Sequence, residues 1–383
     1  MTTGRKEVLS KVKKVLIKIG SAVLTGSDGL DRQIIDQLVD EIAGLKLSGH
    51  QIVIVTSGAI ASGKHRMGIT GPLKSMPQKQ AAAAIGQGRL MRVYSNAFRR
   101  HNQYVAQILL VSSDLTDRKR YLNVKNTLTT FMDWGVIAII NENDSVAVDE
   151  IKFGDNDHLA AMIANLMEAD LVINLTITEG LYDKNPEKSK KAKVIGIVKE
   201  FTEDIESAAT KETSDVGTGG MRSKVLAAKK VVASGIPYVI APGKRKDILK
   251  DIFAGKDLGT LFLPSTQHLN SRKYWIAFTL RSRGRLIIDE GAKKALVGGG
   301  KSLLPSGIVD VEGEFCIGDP VICVDCDGTL LAKGLVSYSS GDVRKIMGLK
   351  TNKIAQVLGH KDYDEVIHRD NLAVNKEIKR TRP

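Results

Sequence analysis

Lys18 lies in the run Val15-Leu16-Ile17-Lys18-Ile19 and is followed directly by Gly20 and Ser21. An ammonium in a strand with apolar faces is expensive to bury alone, so Lys18 needs an anionic partner. That partner is either a carboxylate of the chain itself or a phosphate held with the amides of the Gly-Ser turn. A second lysine closes Gly217-Thr218-Gly219-Gly220-Met221-Arg222-Ser223-Lys224, one turn into a helical pattern. Glycines at a helix N-terminus with a lysine behind them form an anion cradle, although a plain surface loop reads the same way. Between the two lysines, Asn141-Glu142-Asn143-Asp144 ends an apolar run, and Lys152-Phe153-Gly154-Asp155-Asn156-Asp157 opens the next helical pattern. Carboxylates and amides in such clusters suit an ammonium group, a lysine network or a hydrated Mg²⁺. Thr56-Ser57-Gly58-Ala59-Ile60 ends another strand in small residues, where amides approach a carboxylate or phosphate or simply cap a helix. Two lysine-plus-glycine sites on one chain point to phosphoryl transfer, in which positioning and charge neutralisation do most of the catalysis.

These residues need a scaffold to bring them together. Short β-branched runs at 15–19, 51–56, 104–111, 136–140, 171–176 and 237–241 alternate with helical patterns at 31–47, 78–100, 118–134, 156–168 and 221–233. Asp31 and Asn156 are suited to cap their helices. Doubly apolar strands alternating with helices predict a three-layer α/β/α sandwich around a mostly parallel sheet. Ligands of such a sheet bind beyond the carboxyl ends of its strands. After about residue 256 the texture changes to glycine, turn residues and short strands at 275–280, 285–288, 307–311, 320–323 and 330–336. This predicts a small β-barrel domain after a link near 264–271, with a basic tail at 376–383.

Composition narrows the class. The chain has 383 residues, 43% apolar and 26% charged, enough for two globular domains. Apolar runs of its first half such as 136–140 are far short of the ~18 residues that span a bilayer, so a membrane partner is not expected. Three cysteines make no disulfide framework, and a cytoplasmic location is the expectation. A surplus of +13 is spread along the chain, with no block marking a nucleic-acid arm.

Several near-motifs do not carry the reading. Gly58 to Lys64 has P-loop spacing, but His65 stands where Ser or Thr holds Mg²⁺. Gly298-Gly299-Gly300-Lys301-Ser302 follows a helical pattern rather than a strand, and Ala295 replaces its first glycine. Cys323 and Cys326, with Cys316 upstream, lack a fourth zinc ligand, so no metal site is expected. His158, beside Asp157, reads as structural. Arg281, Arg283 and Arg285 alternate as on one strand face, a solvated ladder or a contact for RNA phosphates.

Taken in order, Lys18 to Ser21, Val55 to Ile60, Ile140 to Asp144, Phe153 to Asp157, Glu179 to Tyr182 and Gly217 to Met221 resemble the amino acid kinase family. Within it, they resemble the members that phosphorylate the side-chain carboxylate of L-glutamate. Asp289 to Ala292 and Ser302 to Ile308 resemble a PUA domain. The resemblance implies a kinase domain over 1–265, a PUA-like domain over 275–362 and a tail over 363–383. It implies transfer from ATP to L-glutamate, giving L-glutamyl 5-phosphate at the first step of proline biosynthesis. Lys18 and Lys224 would stabilise the transferring phosphoryl, with Asp157 holding both. Ser57, Asp144 and Asn156 would bind glutamate, with Asn141 and Asp155 close by. Lys18, Thr176 and the loop Thr218, Gly219, Gly220, Met221, Arg222, Ser223 and Lys224 would hold ATP with Mg²⁺. Proline inhibition, a homo-oligomer (dimer or tetramer) through the kinase domain and RNA at the PUA-like domain are further implications. One departure is Ile177, which follows Thr176 where many relatives have aspartate, so a contact to adenosine or ribose is lost. A different acceptor on the same fold, and an RNA-binding accessory protein with a degenerate nucleotide site, are the alternatives.

Overall fold

Apolar side chains on both sides of the first strand set the architecture. The computed structural model describes residues 2–26, 29–146, 156–186, 189, 191–210, 220–264, 273 and 275–374. The chain divides into two compact units, Met1–His268 and Leu269–Pro383.

In the first unit, the strands are β1 (Lys14–Ile19), a small ribbon of β2 (Thr25–Gly26) and β3 (Gly29–Leu30), β4 (Gln51–Val55), β5 (Val105–Leu110), β6 (Ile137–Glu142), β7 (Leu171–Thr176), β8 (Ile197–Val198), β9 (Tyr238–Pro242) and β10 (Thr260–Phe262). Eight of them form one sheet in the order β5-β6-β4-β1-β7-β9-β10-β8. Every pairing in it is parallel except β9 with β10. The two-residue period splits its side chains between two cores. Leu16, Val53, Ile140 and Val172 pack with the helices Asn156–Leu166 and Met221–Val232 on one face. Val15, Ile17, Ile54 and Ile173 pack with Arg32–Leu47 and Met76–Arg99 on the other. The result is the expected three-layer α/β/α sandwich.

Asp31 caps its helix as expected, accepting from the Ile34 amide at 3.2 Å. Asn156 does not act as the expected cap. It is the first residue inside its helix, and its amide is drawn into the polar contacts described below.

The second unit holds a five-stranded sheet in the order β12-β11-β13-β14-β15. Its strands are β11 (Gly284–Ile288), β12 (Ile308–Gly313), β13 (Pro320–Val324), β14 (Leu330–Leu335) and β15 (Leu372–Val374). Three expectations are corrected here. Residues 275–280 are no strand, because Trp275–Thr279 is a wide helical turn closed by the Leu280 amide on the Trp275 carbonyl at 3.2 Å. Strand geometry starts at Gly284, so Arg281, Arg283 and Arg285 form no common ladder, and Arg285 pairs with Glu312 at 3.4 Å. The chain does not become a tail at 363, since Val366, Ile367 and Leu372 are buried in the core and β15 completes the sheet. The link at 265–272 and the basic tail at 376–383 lie outside the described residues.

Candidate active site

In β1, Lys18 shares a sheet face with Leu16, the face covered by Asn156–Leu166 and Met221–Val232. Its register partners are Val55 on β4 and Asn174 on β7. Its ammonium bonds Asp157 Oδ1, on the first turn of the covering helix, and both residues are buried. Lys224, one turn into Met221–Val232, reaches Asp157 Oδ2 at 3.4 Å and is also buried. Asn174 Nδ2 donates to Oδ1 at 2.8 Å, and Ser223 Oγ donates to Oδ2 at 2.8 Å. Burial alone would raise the Asp157 carboxyl. The ammonium groups of Lys18 and Lys224, with the Lys18 and Ser223 hydrogen bonds, outweigh it and hold the group well below the usual carboxylate range. The anion that Lys18 requires is therefore a carboxylate of the chain itself, and it is shared with Lys224.

Beside this triad lies an amide and hydroxyl cluster. Asn156 Nδ2 donates to Ser57 Oγ at 2.8 Å and to Asn141 Oδ1 at 3.1 Å. Asn141 is fixed in turn by donating to Gln87 Oε1 at 2.9 Å. Among the described residues, Asn156 Oδ1 and Gln87 Nε2 are buried without a partner, one acceptor and one donor held out of water. Thr56 Oγ1 meets the buried Tyr94 hydroxyl at 2.9 Å, which ties the end of β4 to the helix Met76–Arg99. Gly58 follows Ser57 at φ +100°, a conformation that favours glycine, and turns the chain into the helix Ala59–Arg66.

The structure thus brings together Lys18, Asp157, Ser223 and Lys224 in one group and Ser57, Asn141 and Asn156 in the adjoining one. Asp144 stands half-buried in the turn after β6, and among the described residues no side chain bonds it. Burial pushes its carboxyl up to about 6. Thr176 ends β7 with its carbonyl accepting from the Gly243 amide at 2.7 Å, and Ile177 beyond it is 57% exposed. Gly220, Met221 and Arg222 open the Lys224 helix. Asp155, Thr218 and Gly219 lie outside the described residues.

Gln87 was not legible in the sequence, because it sits in an alanine- and glycine-rich stretch that reads as ordinary helix. Asn174 was masked in the same way by an apolar strand; its only signal is a polar residue in a run as buried as that of Lys18. The P-loop-like Gly63 has a packing role. A Cβ there would overlap the Ala82 carbonyl oxygen, as one on Gly86 would overlap that of Ala59. His158 has its Nδ1 at 3.2 Å from Lys230 Nζ, and burial followed by that ammonium lowers its pKa to about 4, so it is neutral at pH 7.

Both Asp157 oxygens are engaged by the chain, and no group of three or more His, Cys, Asp or Glu within reach of one ion occurs among the described residues. No helix among them is long and apolar enough to cross a membrane.

Residues 13–242 match the amino acid kinase family and residues 284–358 match the PUA domain. The chain belongs to the amino acid kinase family. Its relatives include glutamate 5-kinase of Syntrophus aciditrophicus, 70% identical over 382 residues, covering 100% of this chain and 99% of that protein. Glutamate 5-kinase of Syntrophotalea carbinolica is 49% identical, covering 97% of this chain and all of the relative. That of Caldanaerobacter subterraneus is 51% identical over 94% of this chain and 97% of the relative.

Proposed function

We propose that the chain transfers the terminal phosphoryl of ATP to the side-chain carboxylate of L-glutamate, giving ADP and L-glutamyl 5-phosphate, the first step of proline biosynthesis. The observation that carries this reading is the meeting of two buried ammonium groups, Lys18 and Lys224, at the carboxylate of Asp157. The relatives named above share the reading by name.

A side-chain carboxylate with a pKa of ~4.3 is ionised at neutral pH, so attack on phosphorus needs no strong base. The obstacle is bringing this anion against a triphosphate. One carboxylate oxygen forms the new bond to the terminal phosphorus while the bond to the bridging oxygen of ADP breaks. Lys18 and Lys224 neutralise the charge spread over the phosphoryl oxygens in that step. Asp157, kept ionised, sets the spacing of the lysines and is too weak a base to take a proton. Ser57, Asn141, Asn156 and Asp144 form the glutamate seat. The orphan atoms Asn156 Oδ1 and Gln87 Nε2 suit its polar groups, and Asp144 suits its ammonium. Asp155 lies beside this seat in sequence. ATP lies along Thr176 and the segment Thr218, Gly219, Gly220, Met221, Arg222, Ser223, Lys224, with the early helix amides toward its phosphates. Mg²⁺ bound with the nucleotide would add charge neutralisation at the phosphates, beside that of Lys18 and Lys224.

Glutamate-dependent ADP release, with the acyl phosphate trapped as a hydroxamate, tests the reaction. A panel including aspartate, N-acetylglutamate and a nucleoside monophosphate tests the acceptor. Turnover with another acceptor and none with glutamate overturns the reading.

The same reading includes a cytoplasmic enzyme inhibited by proline and assembled as a homo-oligomer through the kinase unit. The outer strand β5, with Tyr104 80% exposed before it, supplies an edge for pairing. It also includes RNA binding by the PUA domain, supported by a groove of about 680 Å³ that includes Lys301, His368 and Arg369. Salt-dependent retention of RNA tests that part.

A further inference from the structure

The helices Arg32–Leu47, Ala59–Arg66 and Met76–Arg99 border a groove of about 380 Å³ lined by Arg32, Arg66, Arg89, Arg92 and Arg100, together with Asp36 and Asn96. Arg89, Arg92, Asn96 and Arg100 recur at steps of three and four, so they share one helix side, opposite Gln87 and Tyr94. Arg100 is neutralised within the protein, meeting Asp36 and Asp40 at 3.1 Å each. Among the described residues, the other four guanidinium groups have no acidic partner.

Arg89 and Arg92, three apart on one helix, repel by ~0.2–0.5 kcal/mol, and Arg32 and Arg66 from two neighbouring helices bring two more guanidinium groups to the same concavity. Guanidinium forks match phosphate oxygens two at a time. The volume falls within the ~300–1,000 Å³ of small-ligand pockets. We propose that this groove is a second anion site, separate from the kinase site, which binds a small molecule carrying two or more phosphates. A single phosphate would leave most of the four forks unmatched, and a concavity this small does not follow a nucleic-acid strand.

The test is calorimetric titration of the full chain with inorganic triphosphate. Wild type is expected to bind at two places, and Lys224→Ala to keep the groove site. Arg89→Ala/Arg92→Ala is expected to weaken the groove site at least tenfold while glutamate-dependent ADP release and the circular dichroism spectrum stay unchanged. Arg89→Lys/Arg92→Lys, which keeps the charge and loses the forks, is expected to fall in between. A parallel titration with GDP separates the two sources of such a ligand. Tighter binding than triphosphate marks a nucleotide, and equal binding marks free polyphosphate. Triphosphate binding identical in wild type and the double alanine variant overturns the proposal. It is equally overturned if that variant loses only RNA binding or only self-association. None of these readouts requires the kinase reaction, so failure here and failure of the glutamate reading are distinguishable.

Discussion

Lys18 and Lys224 approach opposite oxygens of one carboxylate, that of Asp157. One lysine comes from the first strand and the other from a helix late in the kinase unit, so the two ammonium groups are positioned by the sheet and its covering helices together.

Lys224→Ala is expected to lower kcat by ~10²–10³-fold, the cost of one transition-state donor, with a much smaller change in KM for glutamate. Steady-state kinetics with glutamate varied at saturating ATP checks this. A near-normal kcat removes Lys224 from the chemistry.

Asp157→Asn leaves two ammonium groups without their shared anion, and breaking a buried pair in this way costs ~3–5 kcal/mol. The loss depends on pH. The folded carboxyl lies below the usual range, whereas the unfolded one titrates at about 4. Its stabilisation is complete above that value and fades as acid is added below it. Urea unfolding is expected to show a gap between wild type and variant that is constant from neutral pH down to about 4 and narrows below it.

Asp144 behaves oppositely, because burial holds its folded carboxyl up at about 6. In the proposed glutamate seat its protonation would remove the charge offered to the substrate ammonium, so kcat/KM for glutamate is expected to drop as pH falls through about 6. Asp144→Asn is expected to abolish that step and lower kcat/KM throughout. The same variant should be more stable than wild type at pH 8, on the order of 1–2 kcal/mol, since it no longer carries a buried charge. A pH–rate profile and a thermal melt read the two effects.

Gln87→Leu removes the acceptor that holds Asn141. We expect KM for glutamate to rise ~10-fold, the worth of one buried hydrogen bond, with kcat changed less. Gln87→Glu, which retains the acceptor, is expected to recover part of the affinity.

Ile177→Asp places after Thr176 the aspartate that the family resemblance leads one to expect there. It is expected to lower KM for ATP ~3–10-fold, one added hydrogen bond, and leave KM for glutamate unchanged. Equal shifts in both constants, or none, remove position 177 from the nucleotide contact.

Much of this was legible because burial and charge conflict openly at certain positions. Lys18 inside Val15 to Ile19 announces a buried partner, and Asp31 before an apolar-periodic stretch announces a helix start. The doubly apolar strands announce a sheet covered on both faces. What stayed hidden depends on contacts between distant segments. Nothing near Gln87 distinguishes it from an exposed helix glutamine, and nothing in the spacing of Trp275 to Thr279 separates a wide helical turn from a strand. β15 is three residues long and derives its stability from β14, so it leaves almost no local signal. Asn156 looks like a cap because asparagine favours that place, and its tertiary hydrogen bonds prevail over the local preference.

The helices beginning at Ala59 and Met76 touch backbone to backbone at Gly63 and Gly86, with no room for even a methyl group between them. One of these rods starts just after Ser57, and the other carries Gln87 and Tyr94. They form a welded joint, so a substitution at either glycine would be felt first as misaligned substrate contacts, at positions that touch no substrate themselves.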